Sequence, residues 1–181
     1  MPFAYAFAVD IKTVIATINQ MQADGVVENY AIGGAVGATF YLEPVATLDV
    51  DIFVTFRPLP GSLLLSPGSI FEYLKTHGGI VEGEYILIAG WPVQFLPPTG
   101  LLVEEALREA VIKDVEGTPA RVFTAEHLAA IALQTGRAKD KARLLQFLEA
   151  SSFDLAVFQM ILARHGLIEA WRKFEQQFLQ D

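Results

Sequence analysis

The sequence predicts an α+β fold: a mixed β-sheet with flanking helices, followed by a helical C-terminal portion. Two observations carry that reading. Residues 27–96 hold short β-branched and aromatic runs broken by Gly and Pro, whereas beyond residue 102 the apolar side chains recur mostly at helical spacing. Length supplies a third constraint, because 181 residues with 52% hydrophobic positions suffice for one substantial core and are few for two independent ones.

Residues 9–23 place Ile11, Val14, Ile15, Ile18 and Met21 on one helical face, and Asp24-Gly25 ends the helix. A strand over 27–32 runs into Gly33-Gly34, and the small and apolar residues 35–42 form a tightly packed helix that must stop before Pro44. Residues 49–56 alternate, so Ile52 and Val54 share one face of a strand while Asp49, Asp51 and Phe53 share the other. The run 58–65 is rich in turn formers, and Ser66-Pro67 suits the cap and first turn of a helix to residue 76, ended by His77-Gly78-Gly79. Two strand-like runs, 80–88 and 91–96, are divided by Ala89-Gly90 and read as a hairpin, closed by Pro97-Pro98. Helices are expected over 102–110, 124–134, 140–149, 154–164 and 167–179, with a short connection through Gly117-Thr118-Pro119. This gives an α/β core over residues 1–118 and a helical subdomain over 119–181 packed on it.

Composition closes several function classes. A net charge of −8 argues against a broad basic surface for non-specific nucleic-acid binding. The chain has no cysteine, which excludes disulfides, thiolate catalysis and zinc-thiolate sites. The N-terminal stretch lacks a basic n-region and meets a charge at Asp10, and no uncharged run has the length of a membrane span, so a cytoplasmic protein without membrane association is expected. There is no Walker motif, nucleophile elbow or dinucleotide fingerprint. His77, His127 and His165 lack metal-ligand spacing and read as structural, and Trp171, Phe174 and Phe178 read as core or a dimer face.

Two carboxylates at i and i+2 on a strand, Asp49 and Asp51, can bind divalent cations through hard oxygen ligands. Taken alone, such a pair reads sooner as two solvated strand-end acids. The preceding glycine pair, Gly33-Gly34, permits close backbone approach at a helix start. Together, Tyr30-Ala31-Ile32-Gly33-Gly34-Ala35-Val36 and Thr47-Leu48-Asp49-Val50-Asp51-Ile52-Phe53-Val54 resemble the glycine pair and D-x-D strand of the nucleotidyltransferase superfamily, of the DNA-polymerase-beta type. The wording is similar to minimal nucleotidyltransferases that include abortive-infection and toxin-antitoxin members. A second resemblance lies in Gln134-Thr135-Gly136-Arg137-Ala138-Lys139-Asp140, which looks like the Arg-x-Lys-Asp motif of these proteins.

The resemblance implies a nucleotidyltransferase-type sheet and a Mg2+ (or Mn2+) dependent transfer of a nucleotide from a nucleoside triphosphate to a hydroxyl of RNA, protein or a small molecule. Asp49 and Asp51 would be catalytic and hold metal; Gly33, Gly34, Thr47, Arg137 and Lys139 would bind nucleotide. An antitoxin-like protein partner and a phage-defence setting belong to the same implication. Lys141 and Arg143 read as residues of a solvated helix start capped by Asp140. Active members carry a third carboxylate on a later strand, where this chain has Gln94, neutral and no base. A two-residue hairpin at Ala89-Gly90 would pair Tyr85 with Gln94 and turn Glu84 to the opposite face. The rival reading is a catalytically silent module of this fold that binds nucleotide or a protein partner.

Overall fold

The computed structural model describes residues 2–44, 47, 49–56 and 68–180, with side chains from residue 11 onward. The turn-rich run 58–65, the Ser66-Pro67 cap and Leu48 lie outside the described residues. In chain order the elements are α1 (Pro2–Ala23), β1 (Asn29–Ile32), α2 (Gly34–Ala38), β2 (Val50–Thr55), α3 (Gly68–Thr76), β3 (Ile80–Glu82), β4 (Tyr85–Ile88), β5 (Trp91–Leu96), α4 (Leu101–Arg108), β6 (Val111–Val115), β7 (Thr118–Val122), α5 (Ala125–Thr135), α6 (Ala138–Glu149), α7 (Leu155–Arg164) and α8 (Ile168–Phe178).

The seven described strands form one mixed sheet in the order β3-β4-β5-β2-β1-β7-β6. β2 is central. It runs antiparallel to β1, with Ile32 opposite Ile52, and parallel to β5, with Asp51 beside Gln94. Its alternation is sorted as the sequence predicts: Val50, Ile52 and Val54 are buried, while Asp51, Phe53 and Thr55 are half-buried on the other face. The first face packs under α1 and α3, where Ile11, Val14, Ile15, Ile18 and Met21 meet Ile52, Val54, Ile70, Leu74 and Val93. A second cluster joins Ala31 and Phe123 to the helical half through Leu128, Leu144, Phe147, Phe158 and Trp171. Trp171 and Phe174 are core, and Phe178 is exposed with Lys141 Nζ over its ring at 5.7 Å.

Three local expectations are corrected. The second helix ends at Ala38 rather than reaching residue 42; Thr39 Oγ1 donates back to Val36 O at 2.6 Å, and Tyr41 donates its hydroxyl to Phe123 O at 2.8 Å. The run 80–88 is not one strand; it folds at Gly83, whose φ of +63 makes a tight turn with Glu84 between β3 and β4. Residues 111–122 are not a plain connection but a hairpin, β6–β7, turned by Glu116 and Gly117 at φ +49 and +82. Pro119 is tolerated in β7 because the pairing of β7 with β1 is confined to Ile32 and Val122. β7 thus spans the expected 118/119 division.

The helical half is tied to the sheet-side helix α4 by a polar cluster around Glu105, whose residue is 8% exposed. Its carboxylate accepts from Arg164 Nη2 at 2.6 Å and pairs with His165 Nε2 at 2.8 Å and His127 Nε2 at 3.2 Å, while Thr124 Oγ1 bonds His127 Nδ1 at 2.7 Å. Arg164 foremost, with His165 and His127, holds the Glu105 carboxyl down to about 2 from an ordinary 4.5 despite its burial. Because the folded value is depressed, the stabilisation is fully present above the unfolded value of 4.5 and is lost as pH falls toward 2. We expect Glu105→Gln to cost about 2 kcal/mol at pH 7, discounted for the half-exposed Arg164. Urea unfolding at several pH values checks this: the gap between wild type and variant should narrow below pH 4.5 and close as pH approaches about 2.

Candidate active site

The strand β1 delivers the chain to the sheet's surface at Gly33. Gly33 N–H donates to Asp51 O at 3.0 Å, so this amide is committed to the sheet. A Cβ on Gly33 would lie 2.6 Å from Phe53 Cε2 and 3.1 Å from Phe123 Cε2, which explains the glycine by packing. Gly34 differs: its φ is +58, and a Cβ there would fall on the Asp51 carboxylate. The backbone therefore turns against the carboxylate and enters α2, whose first-turn N–H groups have no intrahelical partner.

The surface around Asp51 is one cleft with two adjoining lobes that share Gly34, Asp51, Gln94, Arg137 and Arg143. The outer lobe, about 750 Å³, brings together Thr47, Asp49, Asp51, Glu82, Tyr85 and Lys139. The inner lobe, about 300 Å³, runs under α5 past Phe53, Leu96, Phe123, Leu128, Ile131 and Thr135. Of the residues the sequence singled out, Gly34, Thr47, Asp49, Asp51, Arg137 and Lys139 line the outer lobe, and Gly33 lies behind it against the two phenylalanines. Thr47 Oγ1 donates to Asp49 O at 3.1 Å, bracing the approach to β2.

Charge is distributed by wall. Burial first, then the neighbouring Asp49, pushes the Asp51 carboxyl up; Lys139, Arg137 and Arg143 across the cleft oppose this. Tyr85 is pushed up chiefly by Asp49, with which it shares a side-chain hydrogen bond. The cationic wall is built at the start of α6. Asp140, 2% exposed, accepts from Arg137 Nε at 2.6 Å and lies 3.8 Å from Arg143 Nη1. Asp140 is therefore a buried anchor for two arginines, not a helix cap, and the first flanking position is held by Arg137. Arg143, whose side chain is 16% exposed, faces the cleft rather than solvent.

An antigenic nucleotidyltransferase-like protein from Paracoccidioides brasiliensis superposes with a TM-score of 0.53 at 13% identity, over 90% of this chain and 92% of that one. ANT(2'')-Ia in complex with adenylyl-2''-tobramycin gives 0.52 at 16% identity, over 85% and 95%. The solution structure of the antibiotic-resistance factor ANT(2'')-Ia gives 0.53 at 14% identity, over 98% and 99%. The fold is that of the nucleotidyltransferases. No protein-family model matches the sequence, and no curated protein matches it.

Within this nucleotidyltransferase fold the donor set can be tested against a divalent cation. Among the described residues no group of three or more His, Asp or Glu is placed to hold a metal. Asp49 and Asp51 nevertheless fit one in kind: two hard oxygen donors, held close enough for one to raise the other, and in none of the described ion pairs. No described helix is long and apolar enough to cross a membrane.

Arg143, Asp140 and Tyr85 are the site residues that sequence reasoning missed. The i, i+3, i+6 spacing of Arg137, Asp140 and Arg143 was the available signal, since it places all three on one helical face. Because the folded Asp51 carboxyl is raised, its charge opposes folding at neutral pH; the effect fades as pH falls through the raised value and is gone below the unfolded 3.8. We therefore expect Asp51→Asn to melt higher than wild type at pH 7, with the advantage shrinking on acidification; calorimetry across pH is the check.

Proposed function

We propose that the chain is a Mg2+ (or Mn2+) dependent nucleotidyltransferase that moves a nucleotide from a nucleoside triphosphate to a hydroxyl acceptor. The observation that carries this reading is the facing of Asp49 and Asp51 on one wall by Arg137, Lys139 and Arg143 on the other, at the Gly34 turn. Asp49 and Asp51 would hold the cation, which when bound draws electron density from the phosphoryl oxygens. Arg137 and Lys139 neutralise the triphosphate, with Arg137 fixed in its rotamer by Asp140. Gly34 lets the backbone close on the nucleotide without a side chain between, Gly33 sets that turn against Phe53, and Thr47 steadies Asp49.

In the transfer the acceptor oxygen forms a bond to the α-phosphorus, the α–β bridge breaks, and pyrophosphate departs with the electron pair. The acceptor's proton goes to Asp49, Asp51 or water, because the Gln94 amide beside Asp51 cannot take it. A small-molecule acceptor is favoured over RNA by the acidic side of the cleft, Glu82 with the aspartate pair, and by the net charge of −8. The neighbour ANT(2'')-Ia, seen with adenylyl-2''-tobramycin, supports the same class. A cytoplasmic setting, an antitoxin-like partner and a phage-defence role rest on the sequence resemblance alone.

A catalytically silent module is the second reading, favoured by Gln94 where a third acid would lie. Titration calorimetry with each nucleoside triphosphate and Mg2+ checks the proposal, with pyrophosphate release as the measure of turnover. We expect metal-dependent binding that Asp49→Asn/Asp51→Asn abolishes. Wild-type protein that binds no nucleotide at millimolar concentration would overturn the transferase reading and leave a silent module with a protein partner; binding without pyrophosphate release under any acceptor would favour a silent module that binds nucleotide.

A further inference from the structure

Gln94 is not simply a lost acid. In the parallel β2–β5 register it lies beside Asp51, and it lines both lobes of the cleft. The hairpin at Ala89 and Gly90, at φ +51 and +80, pairs Ile86 with Val93 and Ile88 with Trp91. Had β4 continued through Glu84, alternation would turn that side chain to the opposite face. The chain instead turns at Gly83, so Glu84 belongs to the β3–β4 turn and is released from the alternation. Its carboxylate accepts from Gln94 Nε2 at 3.2 Å.

This contact decides which way the amide points. A carboxylate can only accept, so it must face the amide's NH2. The carbonyl oxygen of Gln94 is then left for the cleft, and among the described residues no hydrogen-bond donor is bonded to it. Amide oxygens are hard ligands for divalent cations, as carboxylates are, but carry no charge and take no proton. An outer partner that fixes a ligand's orientation commonly governs metal affinity without touching the metal.

We propose that Gln94 Oε1 is the third cation ligand beside Asp49 and Asp51, and that Glu84 is the positioning residue that turns this oxygen into the cleft. The proposal rests on the reading of the aspartate pair as metal-holding. It gives the site one negative charge fewer than a three-carboxylate site. It also places the uptake of the acceptor's proton on Asp49, Asp51 or water.

Mn2+ alone, followed by the loss of the free-ion paramagnetic resonance signal, reads the site without requiring turnover. Glu84→Gln should weaken Mn2+ binding by up to about tenfold, because an amide at this position donates as well as accepts and no longer obliges Gln94 Nε2 to face it. Glu82→Gln removes one carboxylate charge from the cleft wall without removing Gln94's bonding partner, and supplies the baseline for charge loss alone. Gln94→Leu should weaken binding by a similar factor, and Glu84→Gln/Gln94→Leu should add little to it, as coupled partners do. Gln94→Glu should bind Mn2+ more tightly than wild type. Circular dichroism and melting temperature confirm that each variant folds.

Equal losses in Glu84→Gln and Glu82→Gln would overturn the positioning role, and unchanged binding in Gln94→Leu would overturn the ligand role. Additive losses in the double variant would overturn the coupling between them. Mn2+ binding that survives Asp49→Asn/Asp51→Asn, or wild type that binds none, would instead remove the aspartate-pair reading and this proposal with it.

Discussion

The fold and the candidate site hang on one close approach, that of Gly33-Gly34 at the end of β1 to Asp51 and Phe53 on β2. Gly33 has no room for a Cβ beside Phe53, and Gly34 none beside the Asp51 carboxylate. Gly33 N–H is at the same time bonded to Asp51 O, so the turn is fixed in register as well as in space. That register puts Ile32 opposite Ile52, carries β1 out of the sheet, and starts α2 over the cleft. A side chain at Gly33 would displace the Phe53 ring, and one at Gly34 would displace the Asp51 carboxylate.

A second consequence is electrostatic. Placing Asp51 under a backbone turn removes water from it, and placing Asp49 beside it adds like charge. Such an arrangement opposes folding at neutral pH; Lys139, Arg137 and Arg143, at the start of α6, offset part of it from across the cleft. Asp140 holds two of those cations to the helix from a buried position, so the cationic wall stands apart from the anionic one instead of collapsing onto it. A cleft that keeps its opposite charges separated is suited to a ligand bearing both phosphates and a metal.

The sheet was readable where one residue pattern decided it. The alternation through Asp51, Ile52, Phe53 and Val54 assigned faces correctly because β2 is buried on one side and lines a cleft on the other. It was less readable where a turn interrupts an apolar run: Gly83 splits residues 80–88, and the β6–β7 hairpin hid behind Pro119. The cationic residues of α6 illustrate a different limit. Spacing alone gives the face shared by Arg137, Asp140 and Arg143, but only packing against α5 decides that this face meets the cleft while Lys141 turns to Phe178. Glu84 was misplaced for the same kind of reason, since its direction depends on whether it belongs to a strand or to the turn before it.

Anomalous diffraction from crystals grown with Mn2+ and a non-hydrolysable nucleoside triphosphate analogue would locate metal and nucleotide together. An anomalous peak is expected within ligand distance of Asp49 and Asp51, with the triphosphate between that peak and Arg137 and Lys139. A nucleotide bound elsewhere, or a metal peak that leaves this pair untouched, would contradict it.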